Sequence, residues 1–463
     1  MGAINGFCSF YKDVSSLYWQ RICRLMMGRS VKTTVVDGLY STDTVQLSAS
    51  ERKNMFCDEE MCCVFAGNIT NYKTVTSRLK DMNEKQGENF AETFLNIYKA
   101  MGVRGAAIVF GEFSAAIWDG RKKKLLVFRD KSGTYPLYYA YVNERFVFSS
   151  AIDGILRFPG VYSVVTERGL ADLFCCAGTI NPYNTPFESI KRIPPGCVAE
   201  ASYKGVRIKN YYSLNPSDKY NSDFLAKDAI RIRGGEMLCC KIVPLPSEVV
   251  FSAIDNVEYT GFPVYSDVNV VTSVLSRQKD KDIYIPFLPP QSKPADFSFL
   301  LKEGCLTGVD KTRWQEDSIV NYGARMNIYF DDEMKLKMWN KLRLVIHTRY
   351  NLWSEVLQRY ARMTGKNIIL PLADARFLEC VTDGGGNDYI YKGSIFLPEA
   401  KFVKNILLNE LGEGTRPVFS FMDERRTKEF IKDTDDVKAL LYILSLDYWT
   451  LRYHVETDFI ADK

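Results

Sequence analysis

Two histidines, His347 and His454, are all that this chain of 463 residues contains. They lie far apart, so a histidine-rich metal site is excluded. A Ser–His or Cys–His dyad has almost nothing to draw on, and a structural role is the simpler reading of each. No uninterrupted apolar stretch approaches membrane-spanning length. The opening residues Met1-Gly2-Ala3-Ile4-Asn5-Gly6-Phe7 have neither the basic start nor the apolar core of a secretory signal. Myristoylation at Gly2 meets Gly6 where Ser or Thr is wanted. The expectation is a cytoplasmic protein with no membrane association. Charge of one sign is scarce too: the formal net charge is +4 and spread out, which leaves no nucleic-acid footprint. The short basic run Arg121-Lys122-Lys123-Lys124 falls between two strand-like segments and reads as a solvated hairpin turn.

The twelve cysteines include no Cys-x-x-Cys pair. Three adjacent doublets occur, Cys62-Cys63, Cys175-Cys176 and Cys239-Cys240, and on a strand each would point its thiols to opposite faces. That spacing suits neither a disulfide framework nor a zinc site, so reduced core thiols are expected. What the chain does have is a globular composition: 46% hydrophobic, 25% charged and 13% aromatic residues, enough for two or three domains with cores of their own.

Short strands dominate the first half. Ala106–Phe110, Phe113–Asp119, Leu125–Phe128, Pro136–Tyr141 and Arg145–Ser150 alternate or run apolar, with Gly, Asp and Asn between them, as in antiparallel sheet. Helical spacing appears over Tyr72–Leu79 and Ala91–Met101, the latter with Phe94, Ile97, Tyr98 and Met101 on one face. This mixture implies an α+β sandwich. Regular structure breaks between Tyr212 and Asn221, dividing the chain into residues 1–212 and 218–463. The second part opens with a helix-like segment, Asp223–Arg233. Later it shows helical spacing over Arg349–Arg362 and Val437–Tyr453, with a short buried strand over Asn367–Leu372 that ends at Pro371.

The most specific string is Phe128-Arg129-Asp130-Lys131-Ser132-Gly133-Thr134-Tyr135-Pro136-Leu137-Tyr138-Tyr139. It resembles the "ARDxxGxxPLYY" signature of the N-terminal domain of asparagine synthetase B enzymes. Other blocks follow that family's order. Val64–Tyr72 parallels "VFNGEIYNY", Phe148–Ile152 "FASEI", Phe158–Val161 "PGV", Arg168–Phe174 "GLAEYF", and Phe187–Gly196 "IFKGIKKLPPG". The resemblance covers most of residues 1–212. It implies a class II glutamine amidotransferase with the N-terminal-nucleophile (Ntn) αββα sandwich. An α/β adenine-nucleotide-hydrolase-like (PP-loop) synthetase domain with a helical C-terminus would follow.

The same resemblance implies that the chemistry is missing. The family's glutaminase nucleophile is a cysteine in "MCGIxG" whose freed α-amine acts as base; here that position is Gly2. Cys8, the nearest thiol, cannot supply the amine. The oxyanion asparagine of "NGE" is Ala66, although Gly67 keeps its place, and the following glutamate is Asn68. The acidic grip on the substrate α-amine falls on Phe90, with Glu92 preserving only the last position of its motif. An oxyanion hole works through preorganised donors, so these losses remove glutaminase activity. The loss of the cysteine alone leaves other activities open, since β-lactam synthetases also lack it.

In the second half, Ala226–Arg233 resembles the helix that leads to the family's ATP loop, "SGGLDS". The loop itself has two candidate remnants, Phe251–Asn256 and Thr260–Ser266, with Ser252, Asp255, Gly261 and Ser266 as the residues that would face nucleotide. Neither has paired glycines, and Pro263 removes a donor amide. Asp383–Asp388 is only superficially like the family's "GEGGDE" and reads as an exposed turn. Asp331-Asp332-Glu333 reads as a charged helix start rather than a magnesium site. Gly365–Asp374 resembles "GLExRxPFLD", and Arg416–Phe421 stands where "RPKxGF" is expected, which puts Val418 at the lost lysine. Leu446–Tyr453 resembles the family's closing helix.

Three readings follow. One is a catalytically degenerate accessory or scaffold partner of an amide-forming or peptide-modifying enzyme, contacting an active paralogue, a peptide substrate or a second copy of itself. A second is an active ATP-dependent ligase, of the β-lactam synthetase or lasso-peptide cyclase kind, that adenylates a carboxylate without glutamine; ATP and magnesium are implied only in that case. A third is a repurposed pocket, with Tyr259, Phe262 and Tyr265 filling the old nucleotide site, although core packing suits those aromatics equally. A degenerate chain predicts side chains filling both sites, whereas a ligase predicts an open cleft with convergent amides and a lysine.

Overall fold

The computed structural model describes residues 2–27, 38–175, 183–214, 246–263, 271–272, 275, 282–285, 300, 305, 350–380, 397–412 and 415–457. In the first half the strands are β1 (Ile4–Ser9), β2 (Gly38–Ser41), β3 (Val45–Ala49), β4 (Met55–Cys57), β5 (Met61–Ile69), β6 (Gly111–Asp119), β7 (Lys124–Arg129), β8 (Tyr138–Val142), β9 (Arg145–Ser149), β10 (Val164–Val165), β11 (Lys191–Arg192), β12 (Cys197–Ser202) and β13 (Gly205–Asn210). The helices among them are α1 (Leu17–Met27), α2 (Tyr72–Asp81), α3 (Phe90–Met101), α4 (Ile152–Leu156) and α5 (Glu167–Cys175).

Two six-stranded antiparallel sheets result. One has the order β11-β8-β9-β1-β3-β2 and the other β13-β12-β7-β6-β5-β4. The period of two along each strand sorts the apolar residues into layers. On β5, Cys62, Val64 and Ala66 face the inter-sheet core with Ile4, Leu47, Val127 and Phe148. Cys63 and Phe65 point the other way, onto Phe94, Ile97 and Leu79 of α3 and α2. On the far side of the first sheet, Phe7, Val147 and Tyr138 pack against Ile22 and Met26 of α1 and Ile155 of α4. The layers therefore run helix, sheet, sheet, helix, which is the αββα sandwich expected of residues 1–212.

Most of the expected elements stand where the sequence put them. The basic run Arg121–Lys123 forms the turn between β6 and β7, and the Cys62-Cys63 doublet divides between two faces. Two expectations are corrected. Ala106–Ile108 is not strand: it belongs to a 3-10 helix, Gly102–Ile108, because α3 ends at Gly102 with φ 65° and the chain folds back over Ile97. The cysteines are not all reduced either. Register places Cys57 of β4 opposite Cys62 of β5, and the two are bonded. Cys8, Cys23 and Cys63 are free and buried, and Cys197 and Cys305 are buried too.

The described parts of the second half are α6 (Pro246–Thr260), β14 (Asp282–Tyr284), α7 (Asn351–Thr364), β15 (Asn367–Ile369), α8 (Ala375–Cys380), α9 (Ala400–Gly412), α10 (Glu424–Asp433), α11 (Val437–Tyr453) and β16 (Glu456–Thr457). β14 and β15 pair in parallel. The helix expected over Asp223–Arg233 and the boundary segment after Leu214 lie outside the described residues. α7 is buried through three turns, polar residues included, because it is wedged against the sandwich. α11 is buried similarly, with Tyr442, Leu446 and Trp449 in one apolar cluster with Leu173, Phe174 and Phe187 from the first half. β16 pairs in parallel with β10, so the described end of the chain returns to the sandwich. Among the described residues no helix is long and apolar enough to cross a membrane.

Candidate functional site

The string Arg129–Tyr135 builds a rigid floor rather than a reactive centre. Asp130 is fully buried, and one of its carboxylate oxygens accepts hydrogen bonds from the Ser132 and Thr134 amides at 3.0 Å each. The other accepts from the Tyr135 amide at 2.9 Å. Arg129 donates to the carbonyls of Gly133, Tyr135 and Ile193 at 2.7 to 2.9 Å. Gly133 is needed for its φ of 72°, and a β-carbon there would run into Pro195 and Asn351. Burial pushes Asp130 above the usual carboxylate range against the turn's amides and Arg129, and pushes Arg129 below its usual value against Glu355 and Asp130. The motif thus closes a tight turn by satisfying its own buried polar groups.

That floor is tied to α7. Glu355, 1% exposed, receives Arg129 at 3.4 Å, the Tyr138 hydroxyl at 2.7 Å, and Arg192. One turn on, Arg359 pairs with Asp153 at 2.7 Å and Gln358 donates to Glu112 at 3.3 Å. Arg362 reaches the Ser150 carbonyl at 3.3 Å. A helix of the second half thus turns its polar face into the first.

Above the floor lies a recess of ≈ 750 Å³. It is lined by Gly2, by Asn54, by Gly67 and Asn68 at the end of β5, by Phe90 at the start of α3, and by Glu112 and Tyr135; β15 closes it with Asn367 and Ile369. Gly2, where the resemblance would place a nucleophile, therefore opens into a cavity. A β-carbon on Gly2 would collide with the Asn54 carboxamide and lie 3.2 Å from the Ser50 hydroxyl. Asn54 is held there by the 3-10 turn Arg52–Asn54. The neighbouring main chain is pinned, since the Ala3 amide donates to Ser50 at 3.0 Å and the Ile4 amide to Ser150 at 3.1 Å.

The other expected positions divide. Ala66 is fully buried and packs into the inter-sheet core, while Gly67 lines the recess with φ 117° and no room for a β-carbon beside Glu112 and Phe113. Phe90 stacks edge-on to Tyr72 at 5.6 Å and presents no charge to the cavity. Glu92 caps locally: its amide donates to Asn89 at 2.9 Å and its carboxylate accepts from the Glu88 amide at 2.6 Å.

Of the residues expected to face nucleotide, two lie within a helix and one just after it. Ser252 and Asp255 lie inside α6, and the Ser252 hydroxyl donates to the Val249 carbonyl at 2.8 Å. Gly261 follows that helix with φ 82°, its amide donating to Val257 at 2.8 Å and its carbonyl accepting from Trp449 at 3.0 Å. A helix C-terminus presents carbonyls and negative partial charge, the opposite of what a pyrophosphate needs. Ser266 lies outside the described residues, as do Tyr265, His347, Asp331–Glu333 and Asp383–Asp388. Phe262 is buried and Tyr259 packs edge-on to Tyr360 at 5.7 Å, which is core packing. Val418 is 1% exposed in a short 3-10 helix, within the main apolar cluster. His454 is the left-handed cap of α11. Among the described residues no group of His, Cys, Asp or Glu is arranged to hold a metal ion.

Composition and motif reading missed three residues of the recess, Asn54, Glu112 and Tyr135, and a buried lysine outside its lining, Lys131. Lys131 lies between the Phe110 and Tyr212 rings, with Nζ 3.1 and 4.1 Å from their centroids, and donates to the Ala107 carbonyl at 2.7 Å. Burial pulls its ammonium down to about 7, against the pull of Asp374 and Glu379. Only Tyr135 and Lys131 carried a signal, through their place in the string after Asp130.

Residues 38–212 match the family described as a glutamine amidotransferase domain. An asparagine synthetase (glutamine-hydrolysing) of Bacillus subtilis is 31% identical over 114 residues, which is 25% of this chain and 18% of that protein. An amidase of Gibberella zeae, chry2, is 25% identical over 179 residues, or 38% of this chain and 26% of that protein. The matched segment thus spans about a quarter or less of each relative. A solved glutamine phosphoribosylpyrophosphate amidotransferase of B. subtilis, complexed with ADP and GMP, aligns with a TM-score of 0.35 at 12% identity, covering 72% of this chain and 70% of that one.

Proposed function

This chain carries a class II glutamine amidotransferase domain and is asparagine synthetase-like, and from that premise we propose that it is a member that no longer hydrolyses glutamine, serving as an accessory or scaffold partner of an amide-forming or peptide-modifying enzyme. The observation that carries this reading is Gly2: the cavity wall has no side chain there, and the Asn54 carboxamide stands where a thiol would begin. Ala66, turned into the inter-sheet core, and Phe90, apolar at the cavity rim, support it. Each offers no group for the oxyanion or for a substrate amine, so three contributions to one reaction are missing together.

The recess remains open at ≈ 750 Å³, which departs from the expectation that a degenerate chain fills its sites. Retained volume without a nucleophile suits binding rather than turnover. The partner is a protein, either an active paralogue or a peptide substrate, or a second copy of this chain.

The test pairs two assays on the purified chain. Ammonia release from glutamine is expected at the buffer background, and calorimetry with millimolar ATP and magnesium is expected to show no heat. Ammonia release that saturates with glutamine overturns the loss of glutaminase. Binding of ATP at micromolar strength replaces the scaffold with the carboxylate-activating ligase.

A further inference from the structure

The bond between Cys57 and Cys62 joins the edge strand β4 to β5, and among the described residues β4 has no other strand partner. Its two cysteines stand in different surroundings. Cys57 is exposed at the end of β4, while Cys62 is fully buried in the inter-sheet core. A thiolate arriving from solvent therefore reaches the bond from the Cys57 end. The thiols of Cys8, Cys23 and Cys63 are buried, and burial pushes each well above the usual thiol range, so none of them is a ready nucleophile for exchange.

As a staple the bond adds little. Its cysteines are separated by 5 in sequence, and the constraint that a disulfide places on the unfolded chain is least for such short loops. The hairpin is also closed without it. The Asp58 amide donates to the Met61 carbonyl at 2.9 Å, and the Asp58 carboxylate accepts from the Glu60 and Met61 amides at 2.9 and 2.7 Å. Lys99 of α3 pairs with the same carboxylate at 2.6 Å.

What the bond does hold is the chain that precedes β4. The turn Arg52–Asn54 runs straight into that strand, and the Met55 amide donates to the Arg52 carbonyl. At the other end Ser50 is pinned to the start of β1: its amide donates to the Ala3 carbonyl and its hydroxyl accepts from the Ala3 amide, both at 3.0 Å. Glu51, Lys53 and Asn54, which form one wall of the recess, thus lie between two anchors, Ser50 and Cys57. Little else secures the wall. Met55 and Phe56 are only half-buried, and the Lys53–Glu51 pair at 2.6 Å is exposed, where such pairs contribute little.

We propose that Cys57–Cys62 is a thiol–disulfide switch on this wall: oxidised, it clamps β4 and holds Asn54 beside Gly2; reduced, it frees β4 and opens the recess on that side. The reductant is a dithiol. One of its thiolates attacks the Cys57 sulfur, the bond to Cys62 breaks, and Cys62 leaves as a thiolate that takes up a proton. The second thiolate of the reductant then attacks the mixed disulfide, and Cys57 leaves as the other thiol. Two electrons and two protons pass to the protein while the dithiol closes into its own disulfide, and an oxidised dithiol reverses both steps. Pairing of β4 with β5 keeps the two thiols opposite each other for that return. The switch acts on the shape of the recess and does not depend on what the recess binds.

Amide hydrogen exchange read by mass spectrometry compares the full chain oxidised with glutathione disulfide and reduced with dithiothreitol, while iodoacetamide reports the state of Cys57 in each. Cys57 is expected to resist alkylation when oxidised and to accept it when reduced, reversibly. Amides of residues 52–57 are expected to exchange at least about tenfold faster after reduction, with β6, β7 and β12 unchanged. Cys57→Ser is expected to exchange like the reduced protein and to ignore dithiothreitol; if it misfolds, the reduced wild type carries the comparison alone. Full alkylation of Cys57 after the oxidising step, or exchange over 52–57 that reduction leaves unaltered, overturns the proposal. Acceleration spread across both sheets overturns it too, since the bond would then be a structural staple.

Discussion

The Asn54 carboxamide fills the space that a side chain on Gly2 would enter. The two residues are far apart in sequence and meet because Ser50 anchors the start of β1 beside the turn Arg52–Asn54. Gly2→Cys is therefore expected to leave ammonia release from glutamine at background. Even with Asn54→Ala to make room, Ala66, which offers no donor where the resemblance asks for the oxyanion asparagine, is expected to hold the rate down by roughly 10²–10³-fold. Substantial glutaminase activity in the single variant would show that only the thiol was missing.

Asp130 bonds three amides of its own turn, so its role is architectural. Asp130→Ala leaves those donors buried and unpaired, and the loss is expected to be about 3 kcal/mol or more, read by urea denaturation. A surface-like loss under 1 kcal/mol would mean that the turn holds without its carboxylate.

Much of this architecture was legible. The string around Arg129-Asp130 marks the turn, the Gly- and Asn-punctuated apolar runs mark the strands, and Val437–Tyr453 is a helix over the span its periodicity indicates. What escaped depends on pairs remote in sequence. Nothing near Arg129 announces Glu355, 226 residues later, and nothing in β15 announces that it would wall the cavity. Ser252 and Asp255 lie in α6, and a short polar stretch with Asp and Asn suits a loop as well as a helix until packing against α11 is known. The Cys57–Cys62 bond depends on strand register, which spacing in sequence does not reveal.

Glu355 is the one carboxylate bonded to both Arg129 and Arg192 among the described residues. Glu355→Gln strands two buried guanidinium groups between the halves and is expected to cost about 3–5 kcal/mol. Denaturation followed separately by fluorescence and circular dichroism should then show two transitions where the wild type shows one. Coincident transitions at unchanged midpoint would mean that other contacts join the halves.

Val418 sits where the family resemblance asks for lysine, but its surroundings are apolar. Val418→Lys must bury an ammonium without a counter-ion and is expected to lose roughly 2–5 kcal/mol while gaining no response to ATP and magnesium. A variant as stable as the wild type that binds nucleotide would show that a synthetase site survives around it.

Lys131 gives the chain a pH dependence whose sign can be worked out. Burial lowers its folded value to about 7 from 10.5, so between these values the unfolded chain holds a proton that the folded chain lacks. Its stabilising contribution is complete above the unfolded value and is lost as pH falls toward 7. Comparing melting temperatures of wild type and Lys131→Met from pH 7 to 8.5 cancels the other titrating groups. The wild type should gain on the variant as pH rises, by about 1.4 kcal/mol per pH unit at most. Methionine keeps the length needed to fill the slot between Phe110 and Tyr212, so packing is little disturbed. Parallel curves would mean that the ammonium stays charged between the two rings, stabilised by their faces and by Asp374 and Glu379 more than burial penalises it.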